Sequence, residues 1–290
     1  MLIEYMKKLL FQFDTDPQAS VFDTVVAYDG GADHVMGYSN CRSDMISSLV
    51  EGAIFTRSAS NKKNTAIFIG GSDLPTADAL LDAIKKVFFD GFRVSVMLDS
   101  NGCNTTAAAA VASILKSGDI KGKKVVILAG TGPVGGRAAV MMANMGANVS
   151  ITSRSMERSR QACDYLQDRF KAVVHPREAI SQKDRANIIA DANIVLATGA
   201  AGIQLLEEAN WQDNSNIEIL LDANAVPPGG IQGIAMSDRG ESRYGKITWG
   251  SMGFGPTKLA LQRLCVARLF EQNDLVLDVD DIFKMANEII

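Results

Sequence analysis

Hydrophobic and polar positions follow one another in blocks along the first 115 residues, and the blocks predict strands that alternate with helices. Short runs of apolar and β-branched residues predict strands, whereas apolar residues three and four positions apart predict helices. The predicted strands are residues 7–13, 65–69 and 93–98, and the predicted helices are residues 21–28, 77–88 and 105–115. This alternation favours a largely parallel sheet.

The same alternation starts again after a polar segment, Lys116-Ser-Gly-Asp-Ile-Lys-Gly-Lys123, which has the composition of a linker. The predicted strands are residues 125–129, 148–152, 172–174, 193–197 and 218–222, and the predicted helices are residues 133–145, 156–170 and 185–190. This order is Rossmann-like. Beyond Gly250 the strand pattern stops, and residues 256–271 and 279–289 have the apolar spacing of helices.

These patterns predict an α/β fold with two α/β domains and a cleft between them. The first domain is expected to comprise residues 1–120 plus 256–290, because the two C-terminal helices are expected to brace it. The second domain, residues 121–255, is expected to be a Rossmann-type dinucleotide-binding domain. A chain of 290 residues that is 47% hydrophobic can fill two cores.

Charge and cysteine content exclude several classes of function. The formal net charge is -4 and the Lys and Arg residues form no cluster, so no nucleic-acid partner is expected. The four cysteines are too far apart in sequence for a paired metal site or a disulfide framework. Reduced thiols and a cytoplasmic location are therefore expected.

The N-terminal run Met6-Lys-Lys-Leu-Leu-Phe-Gln-Phe13 briefly imitates a signal peptide. Its apolar stretch is too short, and Asp14 and Asp16 follow at once, so a first β-strand is the better interpretation. No apolar run reaches the ~18 residues of a membrane-spanning helix, and no membrane partner is expected.

A GxGxxG loop lies between a predicted strand and a predicted helix, in Lys123-Lys-Val-Val-Ile-Leu-Ala-Gly-Thr-Gly-Pro-Val-Gly135. The first glycine permits a tight turn, the second lets the backbone approach a pyrophosphate, and the third lets the helix pack against the strand. The bare pattern also occurs in ordinary tight connections, but this context favours a dinucleotide site. The expected cofactor-binding residues of the loop are Gly130, Thr131, Gly132, Pro133, Val134 and Gly135.

The tip of the next strand bears on which dinucleotide binds. An acidic residue there would bind the ribose hydroxyls of NAD, whereas a neutral or basic residue suits the 2′-phosphate of NADP. The tip reads Thr152-Ser153-Arg154, which offers hydroxyl and guanidinium donors. We expect Ser153 and Arg154 to bind NADP, with NAD use still open. A solvated charge at a helix start is the alternative for Arg154.

Two further loops follow strands that are expected to end at the same edge of the sheet, where ligands of open α/β sheets bind. Their small residues would let a nicotinamide approach closely, although both segments also fit ordinary turns. The expected cofactor-binding residues here are Thr198, Gly199, Ala200 and Asn224.

Polar residues also follow the strands of the first domain, in Asp14-Thr-Asp16 and in Asp99-Ser-Asn-Gly-Cys-Asn-Thr105. Helix capping alone explains part of this pattern. Side-chain oxygens and amides in such number also suit the recognition of a heterocycle. No recognised metal-ligand spacing is present, so no metal is expected. Neither His34 nor His175 is expected to be catalytic.

Six segments together carry a family resemblance. They are Leu9-Leu-Phe-Gln-Phe-Asp-Thr-Asp16, Ser20-Val-Phe-Asp23, Tyr28-Asp-Gly-Gly-Ala-Asp-His34, Leu98-Asp-Ser-Asn-Gly102 with Asn104-Thr-Thr-Ala107, Leu128-Ala-Gly-Thr-Gly-Pro-Val-Gly135 and Gly253-Phe-Gly-Pro-Thr-Lys258. The chain resembles the bacterial NAD(P)-dependent methylene-tetrahydromethanopterin dehydrogenases of methylotrophs from about Lys7 to its C-terminus. It is similar, more distantly, to the methylene-tetrahydrofolate dehydrogenases.

The resemblance implies oxidation of the methylene bridge of a reduced pterin to the methenyl form, with reduction of NAD(P)⁺. The methylene carbon lies between two nitrogens, so loss of a hydride leaves a delocalised cation and no general base is needed. The protein has to stack the pterin against the nicotinamide and offset the developing charge.

Aspartates near the substrate suit this role, and Lys258 is expected to hold a pterin carbonyl or the cofactor unless it is a solvated lysine. The expected catalytic residues are therefore Asp23, Asp99 and Lys258. The expected substrate-binding residues are Asp14, Asp16, Asp29, Asp33, Asn101 and Thr105.

Cyclohydrolase activity is not expected. In folate enzymes that have it, the resemblance calls for a tyrosine and a lysine one helical turn apart, whereas here Tyr28 is followed by Ala32 and Tyr38 by Arg42. Two alternatives stay open: a methylene-tetrahydrofolate dehydrogenase, and an NADP-binding sensor without turnover. A homo-oligomer is expected, because symmetric assemblies are common among soluble proteins.

Overall fold

The computed structural model describes residues 6–289 and divides into two compact units. The first unit comprises the described residues up to Thr105 together with Leu259–Met285, and the second comprises Thr106–Lys258 with the residues from Ala286 onward. Residues 1–5 and 290, which the predicted first domain includes, lie outside the described residues. Across the described range, no helix combines the length and the apolar character that crossing a bilayer requires.

The elements are numbered in chain order. Up to Ser117 they are β1 (Leu9–Asp14), α1 (Val21–Asp29), β2 (His34–Tyr38), α2 (Ile46–Phe55), β3 (Thr65–Gly70), α3 (Leu74–Val87), β4 (Ser95–Leu98) and α4 (Cys103–Ser117). Up to Trp249 they are β5 (Lys124–Leu128), α5 (Pro133–Asn144), β6 (Asn148–Ser153), α6 (Met156–Phe170), β7 (His175–Glu178), α7 (Gln182–Ile188), β8 (Ile194–Ala197), β9 (Ile219–Asp222), β10 (Arg239–Arg243) and β11 (Lys246–Trp249). The last are α8 (Ser251–Arg268), β12 (Val276–Leu277) and α9 (Val279–Glu288).

The sheet of the first unit has the strand order β12-β4-β3-β1-β2 among the described residues, and all its pairs are parallel. Phe13, Ile67 and Ile69 of the central strands pack with Ile46 of α2 and Leu80 of α3 in one buried cluster. Strands buried on both faces read as continuous apolar runs, which is why β3 was recognisable from its sequence. The strand order reverses at β1, which lies between β2 and β3.

The sheet of the second unit has the order β10-β11-β9-β8-β5-β6-β7 in the described part of the chain. Its pairs are parallel except for the hairpin of β10 and β11. The strand order reverses at β5, which lies between β6 and β8. In such sheets ligands bind beyond the carboxyl ends of the strands at the reversal.

The predicted α/β fold with a Rossmann-type second unit is confirmed, and most predicted elements are present with ends shifted by a few residues. One strand was placed wrongly: residues 172–174 precede β7, which is His175–Glu178. The elements β2, α2, β10, β11 and β12 were not predicted. Strands β7 and β10 are largely exposed edge strands, and their polar residues give no apolar alternation to read.

A charged network fixes the hairpin of β10 and β11. Asp238 is almost fully buried and accepts hydrogen bonds from Arg243 Nε at 2.6 Å and Arg243 Nη2 at 2.7 Å. The Thr248 hydroxyl donates to the same carboxylate at 2.8 Å. Burial alone would raise the pKa of the Asp238 carboxyl, but the bonds from Arg243 and Thr248 hold that pKa below its ordinary value.

We expect Asp238→Asn to lower the free energy of unfolding by about 1–3 kcal/mol, because Arg243 and Thr248 lose a charged acceptor. The pKa is lower in the folded state than in the unfolded state. The stabilisation is therefore present above the unfolded-state pKa and is lost as the pH falls through the folded-state pKa. Denaturant unfolding of both proteins at neutral and at acidic pH measures this difference.

Asp191→Asn is the matched control, since Asp191 also pairs with a cation, Lys124 at 2.6 Å, but its side chain is 69% exposed. An exposed pair of this kind contributes below about 1 kcal/mol. Equal losses in the two variants would contradict the structural weight given to Asp238. So would an Asp238→Asn loss that does not diminish in acid.

Candidate nucleotide and substrate sites

The loop after β5 leaves no room for a side chain at two of its glycines. A Cβ on Gly130 would lie 2.9 Å from the Ile127 carbonyl oxygen and 3.0 Å from Ile151 Cβ. A Cβ on Gly135 would lie 2.6 Å from Gly130 Cα and 2.6 Å from the Thr198 hydroxyl. These two glycines therefore allow α5 to start directly against the end of β5.

Gly132 differs because its surroundings are open. Among the described residues, no atom beyond its chain neighbours lies within 4 Å of the Cβ position. Pro133 and Val134 follow as the first residues of α5, and no side chain caps that helix start in the described structure. Its N–H groups and the helix dipole favour an anion there. The loop thus fits the pyrophosphate predicted from its sequence.

A cavity of about 560 Å³ lies within the second unit, beside this loop. Its walls come from the loop after β5, the tip of β6 and the loops after β7 and β8. Five residues predicted to bind the cofactor line it: Thr131, Ser153, Arg154, Gly199 and Ala200. The volume is in the range of small-molecule sites.

Three arginines line this cavity: Arg154, Arg158 and Arg185. Its lining includes no Asp or Glu in the described part of the chain. Burial lowers the pKa of the Arg185 guanidinium, although Asp184 opposes that shift. Arg158 and Arg185 were not predicted. Arg158 lies in the first turn of α6, four residues after Arg154, and this short distance in sequence could have indicated it. Arg185 follows β7, whose position was predicted wrongly, so no sequence signal indicated its place in the cavity.

Thr198 and Asn224 do not line the cavity but brace its loops. The Thr198 hydroxyl donates to the Leu128 carbonyl oxygen at 3.3 Å. The Asn224 amide donates to the Ala200 carbonyl oxygen at 3.1 Å and accepts from the Gly202 N–H at 3.3 Å. Both contacts hold the loops after β8 and β9 in place. A direct cofactor contact by Thr198 or Asn224 stays a prediction.

In the first unit, the carboxyl ends of β1 and β3 hold an acidic cluster. Asp14 is fully buried, and its carboxylate accepts from the N–H groups of Asp16 and Ser20, both at 2.9 Å. Asp16 in turn accepts from the Ser72 hydroxyl at 2.7 Å. Across residues 6–289, no three His, Cys, Asp or Glu side chains are grouped in a way that would hold a metal ion.

Asp23 lies in the first turn of α1 and is 6% exposed. Its Oδ1 accepts from the Gln262 side-chain amide at 2.9 Å. A Cβ on Gly70, the last residue of β3, would lie 3.3 Å from the Asp14 carboxylate and 3.5 Å from that of Asp23. Both acids therefore lie at the strand reversal, where a ligand is expected. Lys258 is half-buried one helical turn before Gln262 on α8.

Asp99, Asn101 and Thr105 lie at the end of β4. The Asp99 carboxylate accepts from the N–H groups of Asn104 and Thr105 at 2.9 and 3.0 Å, and from the Thr105 hydroxyl at 2.6 Å. These bonds cap the start of α4, as the capping interpretation predicts. Asn101 is exposed and has a left-handed backbone, with φ of 49°.

Asp29 and Asp33 lie at the other end of the strands, where the amino ends of β1 and β2 are. Asp29 ends α1 and pairs with Arg263 at 2.7 Å, with both side chains about half exposed. Asp33 accepts from the Lys8 N–H at 2.7 Å, next to the start of β1. The structure does not bring them together with Asp14 and Asp23, because the amino and carboxyl ends of parallel strands are at opposite edges.

The loop geometry predicts different outcomes for alanine at two glycines. Gly135→Ala is expected to lower both thermal stability and nucleotide affinity, because its methyl group collides with the backbone of Gly130. Gly132→Ala is expected to keep thermal stability and to lose nucleotide affinity by at least about tenfold, because its methyl group fills the space meant for phosphate. Thermal melting and NADPH titration measure the two effects.

Gly91→Ala serves as the control, because nothing in the described structure lies within 4 Å of its Cβ position and it is in the first unit. It should melt and bind nucleotide as the unchanged protein does. Unaltered NADPH affinity in Gly132→Ala would refute the phosphate assignment.

Two family models match successive parts of the chain. Residues 21–101 match the N-terminal domain of methylene-tetrahydromethanopterin dehydrogenase. Residues 99–210 match the C-terminal domain of alanine dehydrogenase/PNT. The first match includes Asp23 but begins after Asp14 and Asp16, and the second spans the glycine loop and the residues that line the cavity.

Similar solved structures show the same fold at low identity. The 5-ketofructose reductase of Gluconobacter sp. strain CHM43 is 15% identical, with a TM-score of 0.54 over 99% of this chain and 100% of its own. Quinate dehydrogenase from Corynebacterium glutamicum is 14% identical, with a TM-score of 0.52 over 96% of this chain and 98% of its own.

Two relatives from Methylorubrum extorquens are similar along nearly the whole chain. Bifunctional protein MdtA is 49% identical over 284 residues, which are 97% of this chain and 99% of that protein. NAD(P)-dependent methylenetetrahydromethanopterin dehydrogenase is 31% identical over 280 residues, 93% of this chain and 94% of that protein. With its N-terminal family match, this similarity shows that the chain belongs to the methylene-tetrahydromethanopterin dehydrogenase family.

Proposed function

We propose that the protein transfers a hydride from the methylene bridge of methylene-tetrahydromethanopterin to NADP⁺ or NAD⁺ and releases the methenyl form, as a step in one-carbon metabolism and formaldehyde oxidation. The observation that carries this function is full-length similarity to a relative named for that dehydrogenase, joined to a dinucleotide cavity in the second unit. The chain thus contains candidate residues for binding the pterin and candidate residues for binding the dinucleotide.

When bound, the nicotinamide ring supplies the hydride acceptor. The residues of the chain have to bind the two reactants, orient them and exclude water. The methylene carbon needs no general base, because the cation left behind is delocalised over two nitrogens. This agrees with the acidic cluster, whose carboxylates are already hydrogen-bonded to N–H groups and side-chain amides.

Asp23 is proposed to offset the charge that develops on the substrate. Its carboxylate is nearly buried, its orientation is fixed by Gln262, and it lies at the strand reversal of the first unit. Asp16 and Asn101 are proposed as further substrate contacts, and Lys258 as a donor to the pterin or cofactor. Asp14 is fully buried and is proposed to hold the loop after β1 in place. Asp99 and Thr105 are proposed to position the start of α4, because they bond to each other.

Steady-state assays with two pterins and two nucleotides test this function. We expect reduced nicotinamide to form from methylene-tetrahydromethanopterin with NADP⁺ or NAD⁺, followed by the near-ultraviolet absorbance of the product. Faster turnover of methylene-tetrahydrofolate would favour the folate alternative. NADPH binding without turnover of either pterin would favour a sensor and refute the proposal.

We also propose that NADP is preferred over NAD, as the tip of β6 predicts. Arg154→Ala should weaken NADPH binding by about tenfold and leave NADH binding within about twofold, because a charge-assisted bond to the 2′-phosphate is lost. Fluorescence titration of both reduced nucleotides measures the difference. Equal losses for the two would contradict a contact between Arg154 and the 2′-phosphate.

Three further parts of the proposal concern the reactions that the protein catalyses, its cellular location and its oligomeric state. Lack of the tyrosine and lysine pair supports dehydrogenase activity without cyclohydrolase activity. The four cysteines are buried and form no disulfide among residues 6–289, which supports a cytoplasmic location. The absence of nucleic-acid and membrane partners stays a prediction from the sequence. The helix α1 exposes Val21, Phe22 and Val25, and an apolar stripe of this kind supports a homo-oligomer.

A further inference from the structure

The loop after β9, residues 223–230, is tied at both ends to one buried carboxylate. Asp222 is the last residue of β9 and is 3% exposed. Its Oδ1 accepts from the Asn224 N–H at 3.0 Å, near the start of the loop. Its Oδ2 accepts from the Ile231 N–H at 3.0 Å, just beyond the end of the loop. One side chain therefore sets how far apart the two ends of the loop lie.

Two glycines at the end of this loop pack directly against the carboxylate. A Cβ on Gly229 would lie 2.7 Å from Asp222 Oδ2, and a Cβ on Gly230 would lie 2.8 Å from Asp222 Oδ1. The Cβ on Gly230 would also lie 3.2 Å from the Cβ of Ala197, the last residue of β8. Because these positions carry no side chain, the backbone can pass close to the carboxylate. Asp222 and the end of the loop therefore form one closely packed unit.

Asp222 is a costly group to bury. Within residues 6–289 it forms no ion pair with a Lys, Arg or His. Burial raises the pKa of its carboxyl, and the bonds from the N–H groups of Asn224, Ile231 and Gly230 offset only part of that rise. A buried carboxylate that N–H groups alone hold costs stability, and such groups are concentrated at functional sites. The proposed hydride transfer does not use this carboxylate, so its contacts assign it to the loop that it holds.

The loop after β9 is also joined to the loop after β8, which lines the nucleotide cavity. The Leu205 N–H donates to the Gly230 carbonyl oxygen at 2.7 Å. The Asn224 amide donates to the Ala200 carbonyl oxygen at 3.1 Å. Ala200 and Leu205 both line the cavity. A shift of the loop after β9 would therefore move part of the cavity wall.

The strand order of the second unit indicates which half of a dinucleotide these loops face. Its parallel strands follow the order β11-β9-β8-β5-β6-β7, which is that of a doubly wound dinucleotide-binding sheet. The adenosine ribose of a dinucleotide binds at the tip of the second strand, here β6. The nicotinamide half is therefore expected on the other side of the strand reversal, beyond β8 and β9. Residues 225–228, at the tip of the loop after β9, are exposed and have only short apolar side chains.

We propose that Asp222 and Asn224 are positioning residues for hydride transfer, because Asp222 fixes the loop after β9 and Asn224 joins it to the loop after β8 where the nicotinamide ring is oriented. This inference rests on the proposed function for the identity of the reaction. Asp222 acts on the ring only through the loops. Alignment of the reacting carbons matters steeply, since a misplacement of about 1 Å can lower the rate by about a hundredfold. The adenosine half of the nucleotide, bound at β6, does not depend on Asp222.

Asp222→Asn tests this role by steady-state kinetics, because it keeps the size of the side chain but turns one acceptor into a donor that faces a backbone N–H. The loop should then shift. With methylene-tetrahydromethanopterin and NADP⁺, kcat should fall by about tenfold to a hundredfold, while the KM for the pterin stays within about twofold.

Calorimetric titration with two ligands gives a second readout without turnover. The ligands are NADPH and adenosine 2′,5′-bisphosphate, which lacks the nicotinamide half. Asp222→Asn should weaken NADPH by about fivefold or more and the bisphosphate by less than about twofold. A purely structural role would weaken both ligands equally, because the whole cavity would be disturbed.

Asp213→Asn is the control, because Asp213 is an exposed carboxylate between β8 and β9 that does not line the cavity. It should leave kcat and both affinities unchanged. Equal weakening of NADPH and the bisphosphate by Asp222→Asn would overturn the assignment, and so would an unchanged kcat. If Asp222→Asn melts well below the unchanged protein, Asn224→Ala decides, since it removes only the bonds of the Asn224 side chain. Equal weakening of the two ligands in that variant overturns the assignment as well.

The same measurements separate this inference from the proposed function. If the unchanged protein oxidises no pterin, the proposed function fails, and the two titrations still decide whether Asp222 holds the nicotinamide half in place. If the unchanged protein oxidises methylene-tetrahydromethanopterin and Asp222→Asn does so at the same rate, the proposed function stands and the positioning role is refuted.

Discussion

The close approach of Gly130 and Gly135 is the constraint on which the nucleotide site depends. With a Cβ position of Gly135 only 2.6 Å from Gly130 Cα, neither glycine can be replaced without moving the backbone between β5 and α5. This contact sets the start of α5 against the strand end and leaves the open space at Gly132. It also brings the loop next to Thr198 of the neighbouring strand end.

The two units share one sheet topology but place different chemical groups at the ends of their strands. Each sheet reverses its strand order beside a central strand, β1 in the first unit and β5 in the second. The second unit offers N–H groups and guanidinium groups to the proposed nucleotide. The first unit offers carboxylates that N–H groups and amides already orient, as at Asp14 and Asp23. Fixed charges of this kind act in catalysis without reorganising.

The sequence could predict those residues of the cavity that lie next to a recognisable motif in the chain. The glycine loop and Arg154 were predicted because strand, loop and helix follow one another directly in sequence. Arg185 could not be predicted, because its place in the cavity depends on the polar edge strand β7, which has no apolar alternation. Asp29 and Asp33 were grouped with the other acids by sequence, but α1 carries them to the amino edge of the sheet.

The central claim is that a hydride passes directly from the methylene carbon to the nicotinamide. The most direct measurement uses methylene-tetrahydromethanopterin with both methylene hydrogens replaced by deuterium, oxidised with NADP⁺ in ordinary water. The account predicts that each reduced nucleotide carries one deuterium at C4 of its nicotinamide ring, detected by mass spectrometry. Reduced nucleotide without deuterium, with the label released to water, would contradict direct transfer.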